Sequence, residues 1–390
     1  MSGPETTDPD ATDPQAAAPD MTDADMADAD MTDADMAEAG LLTGMARLAG
    51  RLRPGQAGGP PAVVSRRDDR LIVRCGEVVL KAHADTADPA RLAARLRFAA
   101  RPALRPVLLA PLELASVPGT YTIRVGGHQV SAWPAGVSLG TEDADDAPWE
   151  QAAALLARLH RVPVGPADLA VLPPATVLRR LTDRVSRLRR HAGHPLVAPV
   201  LAAWATLTEP APSAIRPGRP TTVIHGDWHF GQLVNLPAAG WRIIDVDDLG
   251  LGDPAWDLGR PAAWFATGLL PVESWARFLG TYTACGGPAV PDRDDPWATL
   301  DLPARALTVE YAATAVAARL DAEPAGAAPR SGGAAHVDDR HLGADARPGG
   351  RLGADHPGTG LDSVSLAFVD ACARIAGTAG DASPSRLCGG

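Results

Sequence analysis

Asp227 stands in His225-Gly-Asp227, just ahead of a β-rich run that carries Gln232 and ends at Leu236. After Pro237-Ala-Ala-Gly240 a second β-rich run, Trp241-Arg-Ile-Ile-Asp-Val-Asp-Asp248, carries Asp245. A hairpin closed by Pro237–Gly240 as a four-residue loop sets Leu236 against Trp241 and therefore Gln232 against Asp245. Directly opposed residues of an antiparallel pair lie about 4.5–5.5 Å apart at Cβ, so a carboxylate and an amide oxygen could share one hard cation. Oxygen ligands of this kind suit Mg²⁺, which takes its other partners from water and phosphate. Asp227, in the loop before the strand, can point into the same space and offer a separate carboxylate to an attacking hydroxyl. Phosphates also need a cation. Lys81, the only Lys among the 36 basic residues, sits midway along the apolar run Val78–His83. A Lys buried there without an anionic partner is costly, so it is expected to reach a cleft that holds one.

These residues need two kinds of scaffold. The runs Ala62–Ser65, Arg70–Cys75 and Val78–His83, the last two joined at Gly76-Glu77, read as strands, as do Tyr121–Val125 and His128–Trp133 around Gly126-Gly127. A helix opened by Asp88-Pro89 completes a small lobe over residues 60–134. From residue 137 to 322 the apolar spacing is helical, over 148–161, 176–191, 198–207, 272–285 and 304–322, with the β-rich island of 221–248 set among the helices. A further helix is expected over 362–378. The fold class is α+β, a small antiparallel sheet lobe hinged to a mainly helical one, and such a junction favours a ligand cleft.

Both flanking segments are compositionally biased. Residues 1–40 hold 12 of the 47 acidic side chains and no Lys or Arg, so the formal net charge of −11 belongs to this segment and the remainder is nearly neutral. Met21, Met26, Met31 and Met36 recur every five residues, a period that builds no apolar helix stripe, and the segment is expected to be disordered. Residues 323–361, where Leu342-Gly-Ala-Asp345 recurs as Leu352-Gly-Ala-Asp355, read as a low-complexity insertion. With aromatics at 4% and no basic excess, a nucleic-acid partner is not expected. No apolar run reaches the eighteen or so residues of a membrane span and the N-terminus lacks a signal-peptide pattern, so a cytoplasmic location is expected. The four cysteines show neither metal-ligand spacing nor the density of a disulfide scaffold.

His225-Gly-Asp227, Ile244-Asp-Val-Asp-Asp248 and Gly252-Asp-Pro-Ala-Trp-Asp-Leu258, preceded by Leu159-His160-Arg-Val-Pro163, resemble the signature of the aminoglycoside phosphotransferase and choline kinase family. That family has a protein-kinase-like bilobal fold. The resemblance spans about 60–320 and implies an ATP- and Mg²⁺-dependent phosphotransferase acting on a hydroxyl of a small molecule. It implies Asp227 as the catalytic carboxylate, Asp245 as the main Mg²⁺ ligand with Gln232 as the second, and Lys81 on the α- and β-phosphates. It further implies His225 as a structural histidine and Asp257 as an anchor of the catalytic loop. Gln232 replaces the usual Asn. No Glu lies between Asp88 and Pro102 to partner Lys81, which leaves Asp85, Asp88 or Glu113 as substitutes. No Gly-x-Gly-x-x-Gly precedes Lys81; the candidate phosphate loop, Ser65–Asp69, offers Arg66 and Arg67 instead.

Other readings remain open from the residues alone. A kinase-like module could bind nucleotide without transferring phosphate. His225-x-Asp227-x-His229 with Asp245 could form a transition-metal hydrolase site, since imidazole and carboxylate suit Zn²⁺ or Fe. Asp248, Glu273 and Glu310 would suit a cationic amine-bearing acceptor, whereas a sugar or an amino alcohol is equally open.

Overall fold

Alternation of apolar and polar residues builds the first sheet, whose two faces have different tasks. The computed structural model describes residues 33–55, 60–67, 70–115, 117–139, 147–207, 213–291, 295–322 and 360–381. It opens with helix α1 (Asp33–Leu52), followed by strands β1 (Ala62–Arg67), β2 (Arg70–Cys75) and β3 (Val78–Ala82), helix α2 (Pro89–Ala99), and strands β4 (Ile123–Val125) and β5 (His128–Pro134). The sheet is antiparallel in the order β1-β2-β3-β5-β4. On one face Leu71, Val73, Leu80, Ala82, Val130 and Ala132 pack against Leu41, Met45 and Leu48 of α1. Ile72, Lys81 and Ser131 are register partners on the other face, which looks toward the second lobe.

Helix α1 corrects an expectation. The tail assigned to residues 1–40 lies outside the described residues as far as 32, but from Asp33 the chain is helical. The five-residue methionine period hid this helix, because its apolar face begins only at Leu41 and continues through Met45 and Leu48, at helical spacing. The insertion at 323–361 lies outside the described residues except for Gly360 and Leu361.

Strand β6 (Val137–Ser138) leads into helices α3 (Trp149–His160), α4 (Pro166–Val171), α5 (Val177–Leu188) and α6 (Val197–Ala205). The β-rich island follows as β7 (Thr222–Ile224), β8 (Leu233–Leu236), β9 (Gly240–Ile243) and β10 (Gly250–Gly252). Helices α7 (Ala255–Ala266), α8 (Val272–Ala284), α9 (Trp297–Asp321) and α10 (Ser363–Asp381) complete the described chain. Pairing β10 with β7 brings the segment after Ile224 beside the one before Gly250, and β8 lies between β6 and β9. The two loops that carry Asp227 and Asp245 thus leave strands anchored in one large apolar core, shared with α2. No described helix is long and apolar enough to cross a membrane.

The β8–β9 hairpin differs from the expected register. Leu236 pairs with Gly240, not Trp241, so the loop has three residues. Gly240, the first residue of β9, takes a left-handed φ of +74° directly after this loop, and Ala239 N–H donates to Leu236 O at 3.0 Å. Gln232 therefore meets Ile244 across the pair, with Ile244 N–H donating to Gln232 O at 2.9 Å. It is not directly opposed to Asp245.

Candidate active site

Lys81 is 5% exposed, and its ammonium lies 2.7 Å from Asp245 Oδ1 and 2.8 Å from Asp247 Oδ2, which joins the two lobes. Burial alone would lower its pKa, but the two carboxylates more than offset this and raise it. The expected substitutes for a helix Glu have other partners. Asp85 lies by His128, Asp88 caps α2 through Ala90 N–H and Arg91 N–H, and Glu113 accepts from Gly119 N–H and Tyr121 Oη. Asp245 adopts φ 60° and ψ 74°, the only non-glycine residue with positive φ among those described. Asp247 is further held by His83, whose Nδ1 is 3.4 Å from Oδ2 and whose Nε2 is 2.5 Å from Ser131 Oγ. Burial would raise the Asp247 carboxyl, but Lys81 and His83 hold it well below the usual carboxylate range. Its Oδ1 is buried without a hydrogen bond.

The donors converging on Lys81, Asp245 and Asp247, are carboxylate oxygens and suit Mg²⁺ or Ca²⁺ more than a transition metal. The buried, unsatisfied Asp247 Oδ1 is an acceptor a hard cation would satisfy. No described group of three or more His, Cys, Asp or Glu is arranged to hold a metal by itself. The hydrolase reading fails at His225. Its Nε2 is 2.8 Å from Ile244 O and its Nδ1 accepts Asp227 N–H at 3.3 Å, so neither nitrogen is available to a metal or as a base. His229 Nδ1 accepts Gly231 N–H.

The loop after β7 is fastened from α7. Asp257 accepts His225 N–H at 2.6 Å and Gly226 N–H at 2.8 Å, and His160 Nε2 lies 2.9 Å from its Oδ2. His160 Nδ1 in turn lies 2.8 Å from Tyr282 Oη, so a relay of buried hydrogen bonds runs from α8 through α3 to the loop. Gly226 has φ +83°, and a Cβ there would come within 2.5 Å of Asp248 O, so only Gly lets the two loops approach. Burial would raise the Asp257 carboxyl, but the His160 hydrogen bond and the charges of His160 and His225 hold it low. A depressed folded-state pKa gives stability that is present above the unfolded value near 3.9 and is lost as pH falls through the folded one. Asp257→Asn is therefore expected to cost about 3 kcal/mol at pH 7, since an amide cannot accept from all three donors. In denaturant titrations the gap to the wild type should close as pH falls below about 4; a pH-independent gap would contradict the assignment.

Asp227 meets two arginines that sequence reasoning did not single out. Arg260 Nη2 donates to Asp227 Oδ1 at 2.5 Å, and Arg180 Nη2 lies 3.2 Å from the same oxygen. Arg180 also binds Glu310 at 2.6 Å, Asp248 at 3.2 Å and Gly226 O at 3.1 Å. Burial would raise the Asp227 carboxyl, but Arg180 and Arg260 outweigh it and hold it well below the usual range. Burial raises Asp248 to about 6 against the pull of Arg180, with Asp227, Asp247 and Asp245 adding to the rise. Spacing held one signal for Arg260. It follows Asp257 by three residues on α7, so both side chains project to the same side of the helix, toward the same loop. Helix α2, lacking a Glu, instead presents Arg95, whose Nε donates to Leu249 O at 2.7 Å just past the acidic run.

Arg66 does not reach Lys81. Its register partners are Leu71 and, beyond it, Ala82, on the face that packs against α1, and its guanidinium binds Glu38 of that helix. Ser65 is the residue aligned with Ile72 and Lys81. The Arg67 side chain and residues 68–69 lie outside the described residues. If Lys81 contacts phosphate, Lys81→Arg should lower kcat/KM for nucleotide about ten-fold, equivalent to about 1.4 kcal/mol, because a planar fork does not fit a slot built for an ammonium. Steady-state kinetics with varied nucleotide would show it, and unchanged values would remove Lys81 from that contact.

An antiparallel five-stranded lobe whose buried Lys reaches an acidic loop on a helical lobe defines a protein-kinase-like bilobal fold. Residues 52–297 match the model of the phosphotransferase enzyme family, APH. The chain belongs to that family, whose members are kinase-type enzymes. Among solved structures, an amicoumacin kinase, hAmiN, in complex with AMP-PNP, Ca²⁺ and Ami has a TM-score of 0.50 at 12% identity, covering 72% of this chain and 88% of its own. A choline/ethanolamine kinase family protein from Mesorhizobium loti has a TM-score of 0.47 at 18% identity, covering 88% and 96%. A macrolide 2'-phosphotransferase type I has 0.43 at 23%, covering 72% and 91%. No curated protein sequence gives a significant match.

Proposed function

We propose that the chain transfers the terminal phosphoryl group of ATP, with Mg²⁺, to a hydroxyl of a small molecule. The observation that carries this is the convergence of Lys81 with Asp245 and Asp247 at 2.7 and 2.8 Å between the lobes, with Asp227 held on the adjoining loop. The acceptor oxygen attacks the γ-phosphorus while the bond from that phosphorus to the β–γ bridging oxygen breaks, and ADP leaves with the bridging oxygen. Asp227 accepts a hydrogen bond from the acceptor hydroxyl, aims its oxygen and takes its proton as the new O–P bond forms. A carboxylate held so far toward ionisation is a weak base, which suits a loose transition state in which the proton moves late. Lys81 binds the nucleotide phosphates and must exchange Asp245 for them as the nucleotide enters. Asp245, Asp247 and Gln232 are the residues that would hold Mg²⁺, and the ion would supply neutralisation of the charge on the nucleotide phosphates. Asp257 and His160 keep Asp227 in place.

The test is ADP release by the purified full chain with Mg·ATP across a library of hydroxyl compounds, with transfer confirmed by phosphorus NMR. Turnover that needs Mg²⁺ and an acceptor supports the reading. Nucleotide binding without transfer to any acceptor would favour a binding module.

A further inference from the structure

We propose that Asp247 is the standing counter-ion of Lys81, the part left open by the missing helix Glu, and that His83, backed by Ser131, is the residue that positions it there. This rests on the reading of Lys81 as the phosphate contact. It gives different tasks to two carboxylates that lie almost equally close to the ammonium, Asp245 at 2.7 Å and Asp247 at 2.8 Å. Helix α2 cannot supply the counter-ion, since Pro89–Ala99 holds no acidic residue.

What separates the two carboxylates is how each is held. The Asp245 carboxylate is 31% exposed and has Lys81 as its one ion-pair partner among the described residues. Asp247 Oδ2 meets Lys81 and also His83 Nδ1, at 3.4 Å. His83 follows Lys81 by two residues, so strand alternation sends both side chains to the face that looks toward the second lobe. The His83 N–H extends the ladder by donating to Gln129 O at 2.8 Å. Ser131, the register partner of Lys81 on β5, shares that face and sets its Oγ 2.5 Å from His83 Nε2. His83 and Ser131 are 1% and 0% exposed. Polar groups so deep in a small lobe are costly unless bonded, and the contact that completes this pair is the one to Asp247. An ionised carboxylate only accepts, so in the neutral ring Nδ1 carries the hydrogen and Nε2 takes the hydrogen of the Ser131 hydroxyl.

The consequence is an order of release. When nucleotide phosphates reach Lys81, the carboxylate held by Lys81 alone gives way, and the one tied back to the small lobe stays. Lys81 is then compensated in its slot before and after the nucleotide enters, and the cost of a buried, unpaired ammonium is avoided. Asp245 is freed for the metal, while Asp247, held through Oδ2, keeps Oδ1 without a hydrogen bond as an acceptor for the same ion.

The test measures Kd for Mg·AMP-PNP by calorimetry on the purified full chain. His83→Leu is expected to weaken binding about ten-fold, and His83→Asn, whose amide N–H can take the place of Nδ1–H, to recover most of that loss. A double-mutant comparison separates positioning from a general effect on the fold. Because His83 acts through Asp247, His83→Leu should cost less than about two-fold in an Asp247→Asn background and keep its cost of about ten-fold in an Asp245→Asn background. Equal costs in the two backgrounds, or no cost in the wild type, overturn the inference. If His83→Leu does not fold, Ser131→Ala takes its place, with the same pattern expected at smaller amplitude. Lys81, as the only Lys, offers a second readout. In protein carrying lysine labelled with ¹⁵N at Nζ and saturated with Mg·AMP-PNP, the single ammonium resonance should be moved by Asp247→Asn and left near its wild-type position by Asp245→Asn. The reverse order overturns the inference and leaves Lys81 on the phosphates. A folded wild type that binds no Mg·AMP-PNP overturns the phosphate reading of Lys81, and the inference with it.

Discussion

Asp245→Asn is expected to lower kcat on the order of 10³-fold while leaving the fold intact. The choice of Asn matters. Asp245 sits at φ 60° and ψ 74°, a conformation that Asn tolerates and that Ala would strain, so the substitution changes charge without forcing the loop to move. Lys81 keeps Asp247 at 2.8 Å, so its ammonium is not left buried and unpaired. What disappears is one negative oxygen from the set that would hold Mg²⁺. The measurable pattern is a large loss of kcat, a Mg²⁺ requirement shifted to higher concentration, and an unfolding midpoint close to that of the wild type. Wild-type kcat at ordinary Mg²⁺ would remove Asp245 from the metal site.

The strands and most helices of both lobes were legible because their apolar periodicity is regular. What escaped the sequence shares a physical origin, since each missed feature depends on partners distant along the chain. Helix α1 is stable because Leu41, Met45 and Leu48 have a sheet face to cover, which the local composition of an acidic repeat does not reveal. Helix α7 begins at Ala255, directly after Gly252-Asp-Pro254, which reads locally as a loop, and contains Pro261. The one-residue hairpin error came from loop length, where a left-handed Gly240 permits a tighter closure than the four-residue loop assumed. Arg66 was read as a phosphate contact from its place before Lys81, yet strand alternation alone sends it to the opposite face once the register with Leu71 and Ala82 is known.

Within the site, the motif residues were legible and their electrostatic partners were not. His225, Asp227, Asp245 and Asp257 stand in short, recognisable runs. Arg180, Arg260 and Glu310 come from three separate helices, and beyond the three-residue spacing of Arg260 from Asp257 nothing in their neighbourhoods distinguishes them from surface charges. Their effect is large nonetheless. Glu310 and Asp248, which as isolated carboxylates suggested a cationic acceptor, are bound by one guanidinium, while Glu273 is exposed at the start of α8. A carboxylate's meaning for substrate charge depends on whether it already has a counter-ion, and only tertiary structure supplies that.

Asp227→Asn should show the second large effect, a loss of about 10²–10⁴-fold in the transfer step. An amide in this position can still receive Arg260 and Arg180 on its oxygen, so much of the local packing survives, but it can neither take the acceptor proton nor attract the hydroxyl as an anion does. Asp227→Ala is a harsher test, because Arg180 would keep Glu310 and Asp248 whereas Arg260 would lose the carboxylate it holds at 2.5 Å. The stability cost of Ala should therefore exceed that of Asn, by about 1–3 kcal/mol for the stranded polar groups. Nucleotide binding separates chemistry from folding. Lys81, Asp245 and Asp247 belong to a different loop and strand and are untouched, so calorimetric ATP affinity should remain within about two-fold of the wild type, a difference of about 0.4 kcal/mol. A variant that binds ATP normally but has lost single-turnover transfer locates Asp227 at the reacting hydroxyl. If Asp227→Asn transfers phosphate at the wild-type rate, another group must orient the acceptor, and the arginines would then be holding a structural carboxylate.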